Sequence, residues 1–238
     1  MSTFVLVHGA FSGAWCWEKV APRLEELGHR VIAVDLPSHG KDMTSPSVVT
    51  MQHYTEYVKK LLENELEKVI LVGHSLGGLV ISQVAEYISE KIDLLVYVAA
   101  LLPEDGQTFL QMNERNQKAL PLPISISEDQ TYFKLNVEAI KEHFYGECTE
   151  EDFQQAKIKH SDQALAPFMT PVSLTNECFG FVRKVYIETL KDRSLSIEFQ
   201  REMYSNTPCE KVFTLDADHS PFLSQPQLLV SYLDSLSK

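Results

Sequence analysis

The stretch Val69–Gly78 reads VILVGHSLGG, four apolar residues running into Gly73-His74-Ser75-Leu76-Gly77. The residues that follow, GLVISQVAEYIS, carry helical spacing. The corner is not the dinucleotide fingerprint G-x-G-x-x-G, because Ser75 stands where that pattern needs glycine. Nor is it a phosphate loop, since no G-K-[ST] follows. It matches G-x-S-x-G set between a strand and a helix. Such a turn forces its apex residue into a strained backbone conformation. Side chains two positions either side would collide, which accounts for Gly73 and Gly77. Ser75 Oγ is then presented as a nucleophile. The Leu76 N–H, at the helix N-terminus, is a donor for a developing oxyanion.

A serine hydroxyl is a weak nucleophile without a base, an orienting acid and a second oxyanion donor. Of the eight histidines, His219 lies in FTLDADHSPF, directly after the last strand-like run, and is the candidate base. The alternative is an ordinary hydrogen-bonded loop histidine. His74 adjoins Ser75, but its side chain is expected to point away. His8 is read as structural, and His29 and His53 as surface positions. On a sheet of this connectivity the acid falls between nucleophile and base in the chain. Asp192, after VYIETL, is favoured, with Asp216 and Asp218 as alternatives. Asp93 precedes its strand and sits at the wrong end. The first strand ends in VHGAFSGAW, whose HG turn makes the Ala10 N–H the second donor, or else is a plain glycine turn.

These residues need a scaffold that brings distant segments to one edge. Short β-branched runs recur at Thr3–Val7, Val31–Val34, Val69–Val72, Leu94–Ala99, Val185–Ile187 and Val212–Leu215. Runs this apolar predict strands buried on both faces. Helical spacing between them (WEKVAPRLEELG, YTEYVKKLLENELE, GLVISQVAEYISEK) predicts a doubly wound, mostly parallel six-stranded α/β sheet. From about Pro103 to Gly180 no clear buried strand appears. Helical spacing in VEAIKEHFYG and EEDFQQAKIK, with prolines between, predicts an inserted helical cap. The expected division is a core of residues 1–102 and 181–238 with a cap of residues 103–180. Active sites of open α/β sheets lie at the C-terminal strand ends, where this insertion emerges.

The bulk numbers exclude several functions. The chain has 238 residues and a net charge of −12, with no Lys/Arg-rich run, so nucleic acid is a poor partner. The four cysteines show no C-x-x-C pair, which argues against a zinc site or redox dithiol. No apolar stretch reaches membrane-spanning length, and no leader pattern precedes the first strand. The expectation is a soluble cytoplasmic protein with reduced thiols, no cofactor and no metal.

Taken together, FVLVHGAFSGAWCW, VIAVDLPSHG, KVILVGHSLGG, VYVAALLP, KVYIETLKDRSLSIEFQREM and DADHSPFLSQP resemble the α/β-hydrolase superfamily over nearly the whole chain. The resemblance is strongest to the plant methylesterase and hydroxynitrile lyase branch and its bacterial esterase relatives. It implies the α/β-hydrolase fold, Asp192 as the triad acid, and an oxyanion hole made by the Ala10 and Leu76 N–H groups. The lyases of that branch carry threonine after the first histidine and lysine after the catalytic one. This chain has Gly9 and Ser220 there, a hydrolase pattern. The plant esterases often have histidine where this chain has Ser12, so their acyl preferences do not carry over.

The resulting expectation is a carboxylesterase using Ser75, His219 and Asp192 on small to medium hydrophobic or aromatic esters. A histidine general base must be neutral, so activity is expected to rise as pH passes through roughly 6–7. Phe109, Leu110, Met112, Leu120, Leu122, Phe144, Phe168 and Met169 supply apolar material for the substrate pocket or for packing the cap. A small-molecule ester is the expected partner, with a homodimer left open. Other readings are C–C or C–CN cleavage on the same triad, a non-catalytic ligand-binding protein, and a haloperoxidase-like side activity.

Overall fold

The computed structural model describes residues 1–237. Nine strands form in chain order: β1 Thr3–Val7, β2 Arg30–Val34, β3 Val69–Ser75, β4 Ile92–Ala100, β5 Ile124–Ile126, β6 Tyr132–Leu135, β7 Gln163–Ala164, β8 Lys184–Thr189 and β9 Lys211–Leu215. Six make one sheet in the order β2-β1-β3-β4-β8-β9, and every neighbouring pair is parallel. The six apolar runs read from the sequence are these six strands, each lengthened by a few residues at most.

The sheet is buried on both faces because its strands alternate two apolar sets. Val5, Val7 and Leu71 point to one side and Phe4, Leu6, Ile70 and Val72 to the other. Helices α1 (Ala21–Glu26), α2 (Met51–Glu63) and α3 (Gly77–Ile88) follow the first three strands. Tyr54, Val58 and Leu62 of α2 and Leu79, Val80 and Val84 of α3 cover the first face. Leu24 of α1 covers the second. The helix α2 begins at Thr50, whose hydroxyl accepts from His53 N–H while the His53 side chain accepts from Thr50 N–H.

Between β4 and β8 lie α4 (Phe109–Arg115), α5 (Lys141–Phe144), α6 (Glu150–Lys157) and α7 (Ala166–Met169), with β5, β6 and β7 among them. The sequence predicts helices alone here, whereas β5-β6-β7 form an antiparallel sheet. These strands have only two to four residues each, and β5 and β6 are partly exposed, so they leave no continuous apolar run to detect. The stretch VEAIKEHFYG yields only the short α5. After β8 come α8 (Ile197–Asn206), then β9, α9 (Pro221–Ser224) and α10 (Pro226–Asp234). Phe199 and Met203 of α8 join the first face, and Phe222, Leu229 and Leu233 the second. No described helix is long and apolar enough to cross a membrane.

Parallel pairing fixes where the chemistry sits. Val7 lies beside Gly73, Ser75 beside Ala100, and Thr189 beside Leu215. The segments that leave these strands, holding Ala10, Ser75, Asp192 and His219, therefore emerge at one edge.

Candidate active site

Ser75 ends β3 with φ +51°, in the left-handed region. The corner closes because both flanking glycines are bare. A Cβ on Gly77 would stand 2.8 Å from the carbonyl oxygens of Val7 and His8, and one on Gly73 would stand 2.7 Å from Gly77 O. The backbones of β1, β3 and α3 thus meet at distances that no side chain permits. Leu76 is the N-cap of α3, and its N–H opens the helix. Neither the Leu76 nor the Ala10 N–H has a backbone acceptor among the described residues. Two free donors therefore flank Ser75.

His219 follows β9 and is 3% exposed. Its Nδ1–H donates to Asp192 Oδ2 at 2.7 Å, which leaves Nε2 as the acceptor nitrogen. Ser75 and His219 line the same cavity. In this resting geometry Ser75 Oγ has no hydrogen-bond partner within 3.5 Å among the described residues, a looseness common in unliganded sites. Asp192 is held by more than the imidazole. Oδ1 accepts from the N–H groups of Ser194 (2.8 Å) and Leu195 (2.7 Å), and Oδ2 also accepts from Thr189 Oγ1 at 3.1 Å.

The alternative acids are committed elsewhere. Asp216 is exposed and pairs with Lys191 at 3.1 Å. Asp218 accepts from Glu147 N, Ser220 N and Ser224 Oγ, fixing the loop that carries His219.

The other histidines correct two expectations. His74 does not turn away from the site. Its Nε2–H donates to His219 O at 2.7 Å, its ring packs 4.7 Å from that of His219, and it lines the cavity. Its Nδ1 is buried without a partner, and burial holds its pKa well below the ordinary imidazole range. It therefore supports the His219 loop as a neutral ring. His29 is buried, not on the surface, because its ring packs edge-on against Phe4 at 5.1 Å and its Nε2 meets Asp234 Oδ1 at 2.8 Å. His53 is exposed on α2. His8 donates from Nδ1 to Gly9 O (2.7 Å) and accepts at Nε2 from Leu36 N (3.1 Å). Burial pushes it down to about 3.

The cavity at Ser75 and His219 is partly open to solvent. Phe109, Leu122, Phe144 and Phe168 line it, as the sequence reading allows, whereas Leu110, Met112, Leu120 and Met169 do not. Phe109 and Phe168 stack at 3.9 Å, so two helices of the β4–β8 segment share one aromatic wall. The lining also includes Phe11, Asn113, Tyr145, His160 and Phe222, none of them marked by a sequence motif. Phe11, next to Ala10, and Phe222, three residues after His219, had neighbours that could have flagged them. No Lys or Arg lines the cavity among the described residues. No group of three metal-ligating side chains occurs among the described residues.

Parallel sheet, left-handed serine corner and a largely apolar cavity mark the C-terminal strand edge of an α/β fold as the candidate site. A family model described as "Alpha/beta hydrolase family" matches residues 4–231. The chain is 38% identical to putative methylesterase 14, chloroplastic, of Arabidopsis thaliana, over 95% of this chain and 69% of that protein. It is 32% identical to alpha-hydroxynitrile lyase of the same plant, over 98% of this chain and 96% of that protein. The crystal structure of polyneuridine aldehyde esterase superposes with a TM-score of 0.90 at 30% identity, covering 100% of both chains. The chain belongs to the α/β-hydrolase family, in the plant methylesterase branch, and is a hydrolase of the esterase type.

Proposed function

We propose that this protein is a serine carboxylesterase acting on neutral esters with hydrophobic or aromatic groups. The observation that carries the reading is the 2.7 Å contact of His219 Nδ1 with Asp192, beside a left-handed Ser75 in one cavity. Ser75 Oγ attacks the ester carbonyl and gives its proton to His219 Nε2. The Ala10 and Leu76 N–H groups hold the tetrahedral oxyanion. His219 then protonates the leaving alkoxide, and the alcohol departs. Water, deprotonated by the same nitrogen, attacks the acyl-enzyme and releases the acid. Asp192 keeps the proton on Nδ1 throughout and stabilises the imidazolium.

Substrate class follows from the walls. Six of the eighteen lining residues are phenylalanine or tyrosine, and Leu101, Leu122 and Leu195 add further apolar surface. Without a lining cation, a carboxylate on the substrate would lose its hydration with no charged partner. Residues 103–180 act as a cap that supplies seven of the eighteen lining residues. Cyanide elimination is disfavoured, because Ser220 offers no cation to the leaving anion. A Cβ at Gly9 would also stand 2.8 Å from Ser75 Cβ, so the lyases' threonine cannot be accommodated without displacing the nucleophile.

The test is hydrolysis of p-nitrophenyl butyrate by the wild type and Ser75→Ala, with fluorophosphonate labelling read by mass spectrometry. Turnover that vanishes in the variant, with the label on Ser75, is expected. Equal rates in both proteins would refute the assignment.

A further inference from the structure

Phe11 directly follows the proposed oxyanion donor Ala10, and its φ is +61°. A bulky aromatic residue rarely adopts this region. Ser12 N–H donates to Gly9 O at 3.4 Å, which closes Gly9–Ser12 into a β-turn. Positive φ at the third residue alone is the type II pattern, which favours Gly or Asn there. In the competing type I turn the Ala10–Phe11 peptide is flipped and Phe11 returns to negative φ. The turn is thus a two-state element, and the intrinsic preference of Phe lies with the flipped form.

Three hydrogen bonds from residues 160–163 hold Phe11, and the one to its N–H opposes the flip directly. Phe11 N–H donates to Gln163 Oε1 at 3.4 Å. Phe11 O accepts from Ser161 N–H at 2.9 Å and from His160 Nδ1–H at 2.8 Å. Both side chains are themselves fixed. The Gln163 amide, fully buried, donates to Tyr54 OH and to Ala164 O, each at 3.1 Å. His160 Nε2 accepts from Tyr145 OH at 2.8 Å, which commits the proton to Nδ1. Gln163 does not line the cavity, and its Oε1 also accepts from His39 Nε2–H at 3.1 Å, so it acts only through its neighbours.

We propose that Gln163 and His160 are positioning residues that hold the Gly9–Ser12 turn in place, and with it the Ala10 N–H that meets the oxyanion. The inference rests on the esterase reading above. A flip would reverse the Ala10–Phe11 peptide dipole beside the donor, and loss of the bonds to Phe11 O would untie the turn that carries Ala10 from residues 160–161. The interaction lost is one made in the transition state, so kcat falls while ground-state binding stays. Loss of a whole oxyanion donor costs ~10²–10³ in rate, and a partly displaced one about tenfold or more.

The experiment compares wild type, Ser75→Ala, Gln163→Met, Gln163→Glu and Tyr54→Phe on p-nitrophenyl butyrate. Each is also titrated with an alkyl trifluoromethyl ketone, which forms an oxyanion adduct, and with the matching methyl ketone, which binds uncharged. Gln163→Met is expected to lower kcat about tenfold or more with KM within about threefold, and to weaken only the trifluoromethyl ketone. Gln163→Glu retains the acceptor for Phe11 N–H and should recover most of kcat. Tyr54→Phe removes a bond to Gln163 but none to Phe11, and should keep kcat. If Gln163→Met does not fold, His160→Phe and His160→Asn decide. The Asn amide can replace Nδ1–H, so Asn rescues kcat and Phe does not. Full kcat in Gln163→Met, or a parallel loss of both ketones, would overturn the clamp while leaving the esterase reading intact. Rates unchanged by Ser75→Ala would overturn the esterase reading and the clamp with it.

Discussion

Replacing Asp192 by asparagine should nearly abolish turnover while leaving the fold in place. The direction of the amide is decided by its neighbours. Oδ1 receives two backbone N–H groups, from Ser194 and Leu195 at 2.8 and 2.7 Å. An NH2 at that position would set donor against donor twice, so the Asn oxygen must stay there. The NH2 is then forced into the Oδ2 position, 2.7 Å from His219 Nδ1. Facing a donor, Nδ1 gives up its proton and the ring carries it on Nε2. That tautomer cannot accept the Ser75 proton. The same inversion in a well-studied serine protease lowers kcat by about 10⁴, which corresponds to roughly 5.4 kcal/mol of transition-state stabilisation. Both backbone bonds survive, so stability should fall by only about 1–2 kcal/mol. The assay is steady-state hydrolysis of p-nitrophenyl butyrate beside a thermal melt. Retention of more than about a tenth of wild-type kcat with a native melt would refute the tautomer argument.

Other consequences follow from the same geometry. Burial depresses His8 to about 3 and His160 to about 4, so the fold accommodates their neutral forms. Below the ordinary imidazole value near 6.5 the unfolded chain binds protons that the native state does not. Their contribution is thus complete above about pH 6.5 and is lost as pH falls toward 3–4, at ~1.4 kcal/mol per unit for each ring. Melts taken from about pH 7 to pH 4.5 should show a falling Tm, and a flat Tm would count against buried neutral histidines. Gly77→Ala places a Cβ 2.8 Å from two backbone oxygens, so β1 and α3 must part. It should lower both kcat and Tm, whereas Gly28→Ala, with nothing within 4 Å of its Cβ, should affect stability alone through its φ of +89°. Phe168→Ala empties one face of the stack with Phe109 and should cost about 3–5 kcal/mol while admitting bulkier esters relative to small ones. Unchanged kcat/KM ratios across an ester series would show that this wall does not select substrate.

The sheet was legible because its signals are redundant. The apolar runs of the four central strands, β1, β3, β4 and β8, are buried on two faces and have few alternatives to parallel strands, and the Ser75 corner carries its own glycine pattern. Asp192 was legible as a position after a strand, but its four hydrogen bonds were not. They depend on the loop turning Ser194 and Leu195 N–H groups back on the carboxylate. His29 was misread because a polar residue beside Gly28 suggests a turn, and its burial arises from Asp234, more than two hundred residues away. Residues 103–180 were the least legible. Their short strands carry no period long enough to separate β5-β6-β7 from coil. Their functional side chains, such as His160 and Gln163, matter through contacts to Phe11 that no local pattern encodes.

Those contacts bear on how this branch can change substrate. The segment between β4 and β8 provides much of the cavity wall and also grips each loop that carries a proposed catalytic group. Leu120 N–H donates to Arg193 O, and Asn116 bonds Ser194 O and Ser196 N, beside Asp192. Glu147 N–H donates to Asp218, one residue before His219. His160, Ser161 and Gln163 hold Phe11, one residue after Ala10. Selectivity and catalytic geometry are therefore coupled through one stretch of chain. Wall residues such as Phe109 and Phe168 contribute side chains only to packing and can be exchanged with the loops left in register. Asn116, His160 and Gln163 contribute hydrogen bonds whose partners would be left buried and unpaired, a cost of about 1–3 kcal/mol for each group orphaned. Changes in ester preference should accordingly be found at the first kind of position and be tolerated there, while substitutions at the second kind lower kcat for every ester alike.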